Sequence, residues 1–384
     1  MKQRMKKHET IPSLSVPLSR HSRRDLLRMG CGVGAGALFL PWLAGCGGGE
    51  ASPIEVVLND IPCPTEKNLL IGYMLSTWEF ERDGLALDKI EVLNHRTGET
   101  VQCIEQVDLP KIYKGDLGTH FEIRFDHLTR YFFSLRLSIP LGVPAPAEIR
   151  HRLVFTNGLA VEGGVLSPRL DERPRVIAPP IRGDRLVFAN QSNMDYHFGA
   201  ALFRDGHIYT TERYAFDSLQ YDESLSDFCA GDPAVNSSYF NYGMPVLAVA
   251  DGTVVQVVNS QPENNGNLGD VVLDSMIDYA GNYVIIDIGE GLFACYAHCI
   301  PGSIGVQIGD RVRQGEVIAR LGNSGNSNAP HLHFQLCDGP DFFWSRGVPF
   351  VLASYVKTGE VPGAIAAPQR VVHSMMEEST VFSL

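Results

Sequence analysis

The stretch GNSGNSNAPHLHF, residues 322–334, is the part of the sequence that decides the fold. Its first part is rich in Gly, Asn and Ser, which is typical of a loop. Its end, from His331 to Phe334, is typical of a β-strand. On a strand, residues two apart project from the same face, so we expect His331 and His333 to lie side by side. This arrangement predicts one metal-centred site, in which one imidazole is a ligand and the other acts on the substrate.

Two upstream stretches supply further candidate residues for the same site. His298 ends the segment YAH at 296–298, which follows a β-type run over 282–288. Asp217 follows the turn signal Asp-Gly at 205–206. Imidazole and carboxylate groups are the side chains that bind zinc in catalytic sites.

Residues 243–254 and 309–319 look alike. In each segment a glycine opens a turn, a valine enters a strand, and a second glycine turns the chain into another strand. This pattern resembles the hairpins of biotinyl domains, lipoyl domains and other barrel-sandwich hybrids. A carrier domain needs a lysine on the tight turn to hold its cofactor, and neither turn offers one. The pattern therefore predicts the fold without the carrier function.

Asp217, the segment at 296–298 and the stretch at 322–334 together resemble the lysostaphin-type (LytM-like) zinc metalloendopeptidases of bacterial cell walls. The resemblance implies a C-terminal barrel-sandwich hybrid of antiparallel strands. Short strands with frequent turn signals over 52–165 predict a β-sandwich before it. We therefore expect an all-β chain that cleaves peptide cross-links of peptidoglycan.

The resemblance also implies a role for each site residue. Asp217 and His333 are expected to bind one Zn²⁺, and His298 and His331 to be the catalytic imidazoles. Three protein ligands leave an open position on zinc for water or substrate. One of the two catalytic imidazoles is then expected to help deprotonate water and stabilise the oxyanion. The thermolysin pattern His-Glu-x-x-His does not occur in this sequence.

One expected ligand is replaced. The family places a His four residues before the Asp, where this chain has Arg213, and a guanidinium cannot bind zinc. We expect His197 to take its place, because a hairpin of residues 196–203 and 207–217 with a three-residue loop pairs His197 with Arg213. A two-residue Asp-Gly turn would instead put His197 on the wrong face. His207, or no third protein ligand, is the alternative.

Two other functions stay open at this point. The replacement at Arg213 is compatible with a zinc-free LytM-like module that binds the cell wall and regulates a wall hydrolase. Such a module has no need of His298, His331 and His333 together, which argues against it. A carbohydrate-binding lipoprotein with a structural metal predicts a closed four-ligand site, and the sequence supplies no convincing fourth ligand.

The first 45 residues indicate an export signal. They contain eight Lys and Arg residues, including the pair Arg23-Arg24, before a short apolar stretch that is too short for a membrane-spanning helix. The arginine pair resembles a twin-arginine signal. LAGC at 43–46 resembles a bacterial lipobox, which implies that Cys46 is lipidated. We therefore expect an exported, membrane-anchored lipoprotein that faces the periplasm or cell envelope.

The overall charge restricts the partners of the chain. A formal net charge of −12 argues against general nucleic-acid binding. The expected partners are peptidoglycan peptides and, through the lipid anchor, the membrane.

An exported chain meets an oxidising compartment, in which cysteines can form disulfides. We expect Cys63 to pair with Cys103, because both fall in one early β-rich segment.

These signals divide the chain into six parts. We expect a signal peptide over 1–45, a Gly-rich tether over 46–51, a β-sandwich over 52–165, a Pro-rich linker over 166–180, a LytM-like domain over 181–360 and a C-terminal tail over 361–384.

Overall fold

A computed structural model describes residues 52–112, 130–189, 191, 197–204, 207–266, 278–361, 364–377 and 380–384. All of them belong to one compact unit, Trp42–Leu384. The predicted signal peptide, tether and lipidation site Cys46 lie outside the described residues. None of the helices in the described ranges is both long enough and apolar enough to cross a membrane.

The first half of the chain forms two four-stranded antiparallel sheets. In one sheet β3 pairs with β1, β2 and β6, and the other has the order β5-β4-β7-β8. A 3-10 turn, η1 (Phe80–Asp83), and a short helix, α1 (Leu109–Ile112), lie between strands. The strands are β1 (Ile54–Asn59), β2 (Cys63–Pro64), β3 (Asn68–Trp78), β4 (Leu87–Asn94), β5 (Thr100–Glu105), β6 (Arg130–Pro140), β7 (Ile149–Phe155) and β8 (Ala160–Leu166).

The burial pattern of β7 shows how one face of its sheet is covered. In β7, every second residue from Ile149 to Phe155 is buried, as a strand with one covered face requires. Apolar side chains from both sheets form a single core between them. We call residues 54–166 the N-terminal sandwich.

The second half of the chain is also built from strands. Two 3-10 turns, η2 (His197–Gly199) and η3 (Asn236–Ser238), accompany them. The strands are β9 (Arg175–Ile177), β10 (Leu186–Ala189), β11 (Leu202–Arg204), β12 (His207–Tyr209), β13 (Phe216–Gln220), β14 (Pro245–Leu247), β15 (Gly252–Val258), β16 (Asn282–Asp287), β17 (Phe293–Cys299), β18 (Arg311–Val312), β19 (Val317–Arg320), β20 (Leu332–Cys337), β21 (Phe350–Glu360), β22 (Ala364–Ser374) and β23 (Thr380–Ser383).

One large sheet dominates this half, in the order β18-β15-β16-β17-β20-β13-β10-β23-β21-β22 within the described residues. Its neighbours are antiparallel, and β9 joins β21 in parallel. The two look-alike segments pair with each other, β14 with β19 and β15 with β18. The all-β prediction is therefore confirmed, and β17, β20 and β13 lie side by side near the middle of the sheet.

A hairpin forms between the two predicted segments, but its predicted register is wrong. Strands β11 and β12 pair Arg204 with His207, so the loop has two residues instead of three. The ladder also ends at Tyr209, well before Arg213, so it does not fix the register of His197.

Two further expectations differ from the structure. The segment predicted to be a C-terminal tail supplies β22 and β23, which both pair with β21 of the large sheet. Cys63 and Cys103 are both free thiols, on β2 and β5 of different sheets, so the expected disulfide is wrong. Sequence proximity within one segment did not imply proximity in space, because consecutive strands were distributed over two sheets.

Candidate metal centre and active site

The register of three adjacent strands places the central residues of the site. Strand β20 lies between β13 and β17, and it pairs His333 with Asp217 on one side and with Ala297 on the other. Nδ1 of His333 lies 3.1 Å from Oδ1 of Asp217. The carboxylate and the imidazole therefore meet across the ladder, as cross-strand neighbours do.

His331 precedes β20 and lies on the same face as His333. The main-chain oxygen of Ala329 accepts a hydrogen bond from Nδ1 of His331 at 2.8 Å. Its other ring nitrogen, Nε2, lies 3.4 Å from Oδ1 of Asp217. The expected side-by-side arrangement of the two histidines is thus present in the structure.

His298 reaches the same place from β17 through a β-bulge. The pairing of β16 with β17 shifts register between Asn282 and Val284, and His298 adopts a φ of 64°. Its ring centroid lies 4.7 Å from that of His331. The carbonyl of Ser324 accepts from Nδ1 of His298 at 2.7 Å, so this imidazole too presents Nε2 to the cleft. Bulges often re-aim a side chain in this way next to active sites.

His197 arrives from outside the sheet, on the 3-10 turn η2. Its Nε2 lies 3.4 Å from Oδ2 of Asp217, and its ring centroid is 4.9 Å from that of His333. The carbonyl of Ala215 accepts from Nδ1 at 3.2 Å. His197 is therefore next to Asp217, although not by the predicted hairpin.

Three donor atoms converge in this arrangement. The side chains of His197, Asp217 and His333 each offer one ligand atom, and these atoms lie within 4.8 Å of one another. Two imidazoles and one carboxylate are a donor set that suits zinc and similar divalent metals. The residues present therefore fit the metal that the resemblance implies.

The electrostatics of the group favour a bound cation. Burial alone would raise the pKa of Asp217, but the neighbouring histidines hold it well below its usual range. Burial opposes protonation of His333, but the hydrogen bond and charge of Asp217 outweigh it and raise its pKa to about 9. Burial lowers the pKa of His197. A carboxylate that stays ionised and keeps the neighbouring imidazole protonated marks a place where a metal can replace a proton.

Arg213 and His207 lie elsewhere. The guanidinium of Arg213 is fully buried and pairs with Asp60 of the N-terminal sandwich. His207 is exposed on β12 and does not belong to the three-residue donor group. Of the two candidates for the replaced ligand, the structure brings His197 and not His207 to Asp217.

Gln335, which the sequence motifs did not indicate, fixes the orientation of His333. Its Oε1 accepts from Nε2 of His333 at 2.9 Å, and its Nε2 donates to Oγ1 of Thr211 at 2.8 Å. The signal was present, because Gln335 stands two residues after His333 and so shares its face of β20. Partners of this kind set the tautomer and direction of a metal-binding imidazole.

The family model described as Peptidase family M23 matches residues 238–341. These residues of the chain are similar to that family. The matched range includes His298, His331 and His333, whereas His197 and Asp217 precede it.

Two curated proteins share part of this sequence. Endolysin 2638A of Staphylococcus phage 2638A is 32% identical over 131 residues, which are 33% of this chain and 23% of the endolysin. Peptidoglycan DD-endopeptidase ShyA of Vibrio cholerae is 34% identical over 94 residues, which are 24% of this chain and 17% of that protein. The chain thus spans less than a quarter of the length of either relative.

Among solved structures, the catalytic domain of lysostaphin from Staphylococcus simulans is 24% identical. The match covers 31% of this chain and 84% of that domain, with a TM-score of 0.21. A TM-score this low supports no inference about the present chain.

Proposed function

We propose that this chain is a zinc-dependent endopeptidase that cleaves peptide cross-links of bacterial peptidoglycan. The convergence of His197, Asp217 and His333 beside two further imidazoles carries the proposal. A set of three protein ligands is typical of catalytic zinc, because structural zinc sites are closed by four. The similarity to Peptidase family M23 and a relative named for peptidoglycan endopeptidase activity support the substrate class.

The proposed ligands are already oriented by their neighbours. Zinc, when bound, supplies a Lewis acid that polarises a peptide carbonyl and acidifies a water molecule. The carbonyl of Ala215 holds His197 so that Nε2 faces Asp217. Gln335 holds His333 so that Nδ1 faces the same carboxylate. Little reorganisation of the side chains is then needed for metal binding.

We propose that His298 and His331 accept and donate the proton that is transferred during peptide cleavage. Burial, with the two nearby histidines, lowers the pKa of His298 well below its usual range, which keeps this imidazole neutral. A neutral imidazole with its lone pair on Nε2 can accept a proton from an attacking water. The resulting N–H can then donate to the oxyanion or to the leaving amine.

Digestion of purified peptidoglycan by the mature protein tests this proposal. We expect cross-linked muropeptides to be converted to uncross-linked ones, this conversion to stop when a chelator removes the metal, and zinc to restore it. His207→Ala is a matched control, because this exposed histidine lies outside the donor group. A zinc-loaded protein that leaves the degree of cross-linking unchanged would contradict the proposal.

A second candidate function is a zinc-free module that regulates a wall hydrolase. The observation that favours it is Arg213, which stands where the resemblance expects a ligand and which cannot bind zinc. The zinc content of the purified protein separates the two functions. A metal-free protein that stimulates a wall amidase would support the second one.

We also propose that the protein is exported and anchored through a lipid on Cys46. The lipobox-like LAGC at 43–46 supports this anchor. Cys46→Ala should move the protein from the membrane fraction to the soluble fraction, because a cleaved chain without lipid has no anchor. Unchanged membrane attachment of Cys46→Ala would reject the lipid anchor.

A further inference from the structure

The side chain of Arg213 lies where the N-terminal sandwich meets the second half of the chain. Its Nε donates to Oδ2 of Asp60 at 2.6 Å, and a terminal nitrogen donates to the carbonyl of Tyr73 at 2.9 Å. Asp60 follows β1 and Tyr73 lies on β3, so both partners belong to the sandwich. The guanidinium is therefore fixed from the sandwich side.

The same side chain holds the turn that carries His197. The other terminal nitrogen of Arg213 donates to the carbonyl of Phe198 at 3.1 Å, and Oγ of Ser134 donates to that carbonyl at 3.2 Å. The guanidinium carbon lies 3.9 Å from the centroid of the Phe198 ring. Phe198 directly follows His197 in η2, so these contacts fix the backbone next to the proposed ligand.

The two halves approach too closely for any side chain larger than that of glycine at Gly72. A Cβ there would lie 2.4 Å from the hydroxyl of Tyr214 and 2.6 Å from Oδ2 of Asp60. That hydroxyl donates to the same carboxylate oxygen at 2.7 Å. Asp60 thus accepts from two consecutive residues, Arg213 and Tyr214, just before the strand that carries Asp217.

We propose that the N-terminal sandwich is a positioning domain for the metal site. Asp60 and Ser134 are the positioning residues, and they act on His197 through Arg213 and the carbonyl of Phe198. The inference rests on the proposed function, because it takes His197 as a metal ligand. Arg213 stands where the resemblance expects a metal ligand, but it cannot bind metal. In this proposal Arg213 instead holds His197, the ligand that takes its place.

A positioning role follows from how the ligands are carried. Asp217 and His333 lie on paired strands of the large sheet, whereas His197 lies on a three-residue turn. A ligand on a short turn needs external contacts to keep its geometry, and such contacts commonly change metal affinity by about 10- to 100-fold. The sandwich supplies them.

The zinc dissociation constant of the full mature chain tests this inference, measured by competition with a chelator. Asp60→Asn removes the charge that faces Arg213, and Ser134→Ala removes a donor to Phe198 with little change of volume. We expect each to weaken zinc binding by about tenfold or more. If Asp60→Asn fails to fold, the zinc dissociation constant of Ser134→Ala tests the inference.

Glu66→Gln is the matched control. Glu66 of the sandwich pairs with Lys357 of β21 at 2.8 Å, so it also joins the two halves through a largely buried ion pair. This pair joins the sandwich to β21 and not to η2, and we expect the zinc dissociation constant of Glu66→Gln to equal that of the unmodified chain. Thermal unfolding of the metal-free variants reports the general loss of stability.

A spectroscopic measurement separates positioning from stability. Cobalt(II) placed in the site reports its ligands through visible absorption bands, and we expect the spectrum of Asp60→Asn to shift towards that of His197→Ala. Unchanged zinc affinity and spectra in Asp60→Asn and Ser134→Ala, with lower thermal stability, would overturn the inference and leave the proposed function intact. Equal weakening in Glu66→Gln would also overturn it. An unmodified chain that binds no zinc would overturn both.

Discussion

A single residue, His298, shows strain at the candidate active site. Its φ of 64° is a left-handed conformation, which costs a residue with a side chain about 1–2 kcal/mol. Glycine adopts it without that cost. Strained backbone at a functional site persists when the surrounding structure over-determines it, and here the bulge aims an imidazole at His331.

The strain predicts that two variants with the same loss of activity differ in stability. His298→Gly and His298→Ala should both lose most of the activity, because both remove the imidazole. His298→Gly should nevertheless be more stable than His298→Ala by about 1 kcal/mol, because alanine keeps the strained φ. Urea unfolding measures the difference. An alanine variant as stable as the glycine variant would show that the bulge is not strained.

His331 and His333 share one face but are expected to respond differently to mutation. His333→Ala should lose zinc and activity together, because it removes a proposed ligand. His331→Ala should keep most of the zinc and lose activity by about 100-fold or more, which is typical of a lost acid–base group. Metal analysis and peptidoglycan digestion give the two readouts. Loss of zinc in His331→Ala would move this residue into the ligand set.

At the scale of elements, His151 connects the two sheets of the sandwich. From β7, its Nδ1 donates to the carbonyl of Gly164 at 2.7 Å, and its Nε2 lies 3.0 Å from the hydroxyl of Tyr73 on β3. Burial lowers its pKa from 6.5 to about 4. The folded sandwich therefore holds this imidazole in its neutral form.

This buried imidazole predicts a loss of stability in acid. Because its pKa is lower in the folded chain, the unfolded chain binds the additional proton, and stability falls as the pH drops from about 6.5 to about 4. A shift of this size corresponds to about 3 kcal/mol. Urea unfolding of the unmodified chain and of His151→Gln at several pH values measures it. The glutamine variant should show a flatter slope, and equal slopes would assign the acid sensitivity to other groups.

The elements also show how far the sequence could be interpreted. The i, i+2 spacing of His331 and His333 predicted a shared strand face, because that relation depends only on local geometry. The position of His197 could not be derived, because the β11–β12 ladder ends at Tyr209 and a turn follows. Strand β22 was missed for a different reason. It contains Pro368, which a strand at the end of a sheet can accommodate, and its sequence AIAAPQRVVHS does not alternate regularly between apolar and polar residues.

At the scale of the whole molecule, contacts between distant residues were beyond the reach of sequence patterns. Arg213 and Asp60 are 153 residues apart in the chain, and no local spacing connects them. The predicted linker also contributes β9, which joins β21 of the large sheet. The predicted domain boundaries remain predictions, and the contacts across them place the sandwich next to the turn that carries His197.

The most direct test of the account is the zinc content of the purified mature protein and of its His197→Ala variant. Metal analysis should find one zinc per chain in the unmodified protein, because His197, Asp217 and His333 form a donor set that suits it. His197→Ala should lose most of this zinc, whereas His207→Ala should keep it. Full zinc occupancy in His197→Ala, or a zinc-free unmodified protein, would contradict the account.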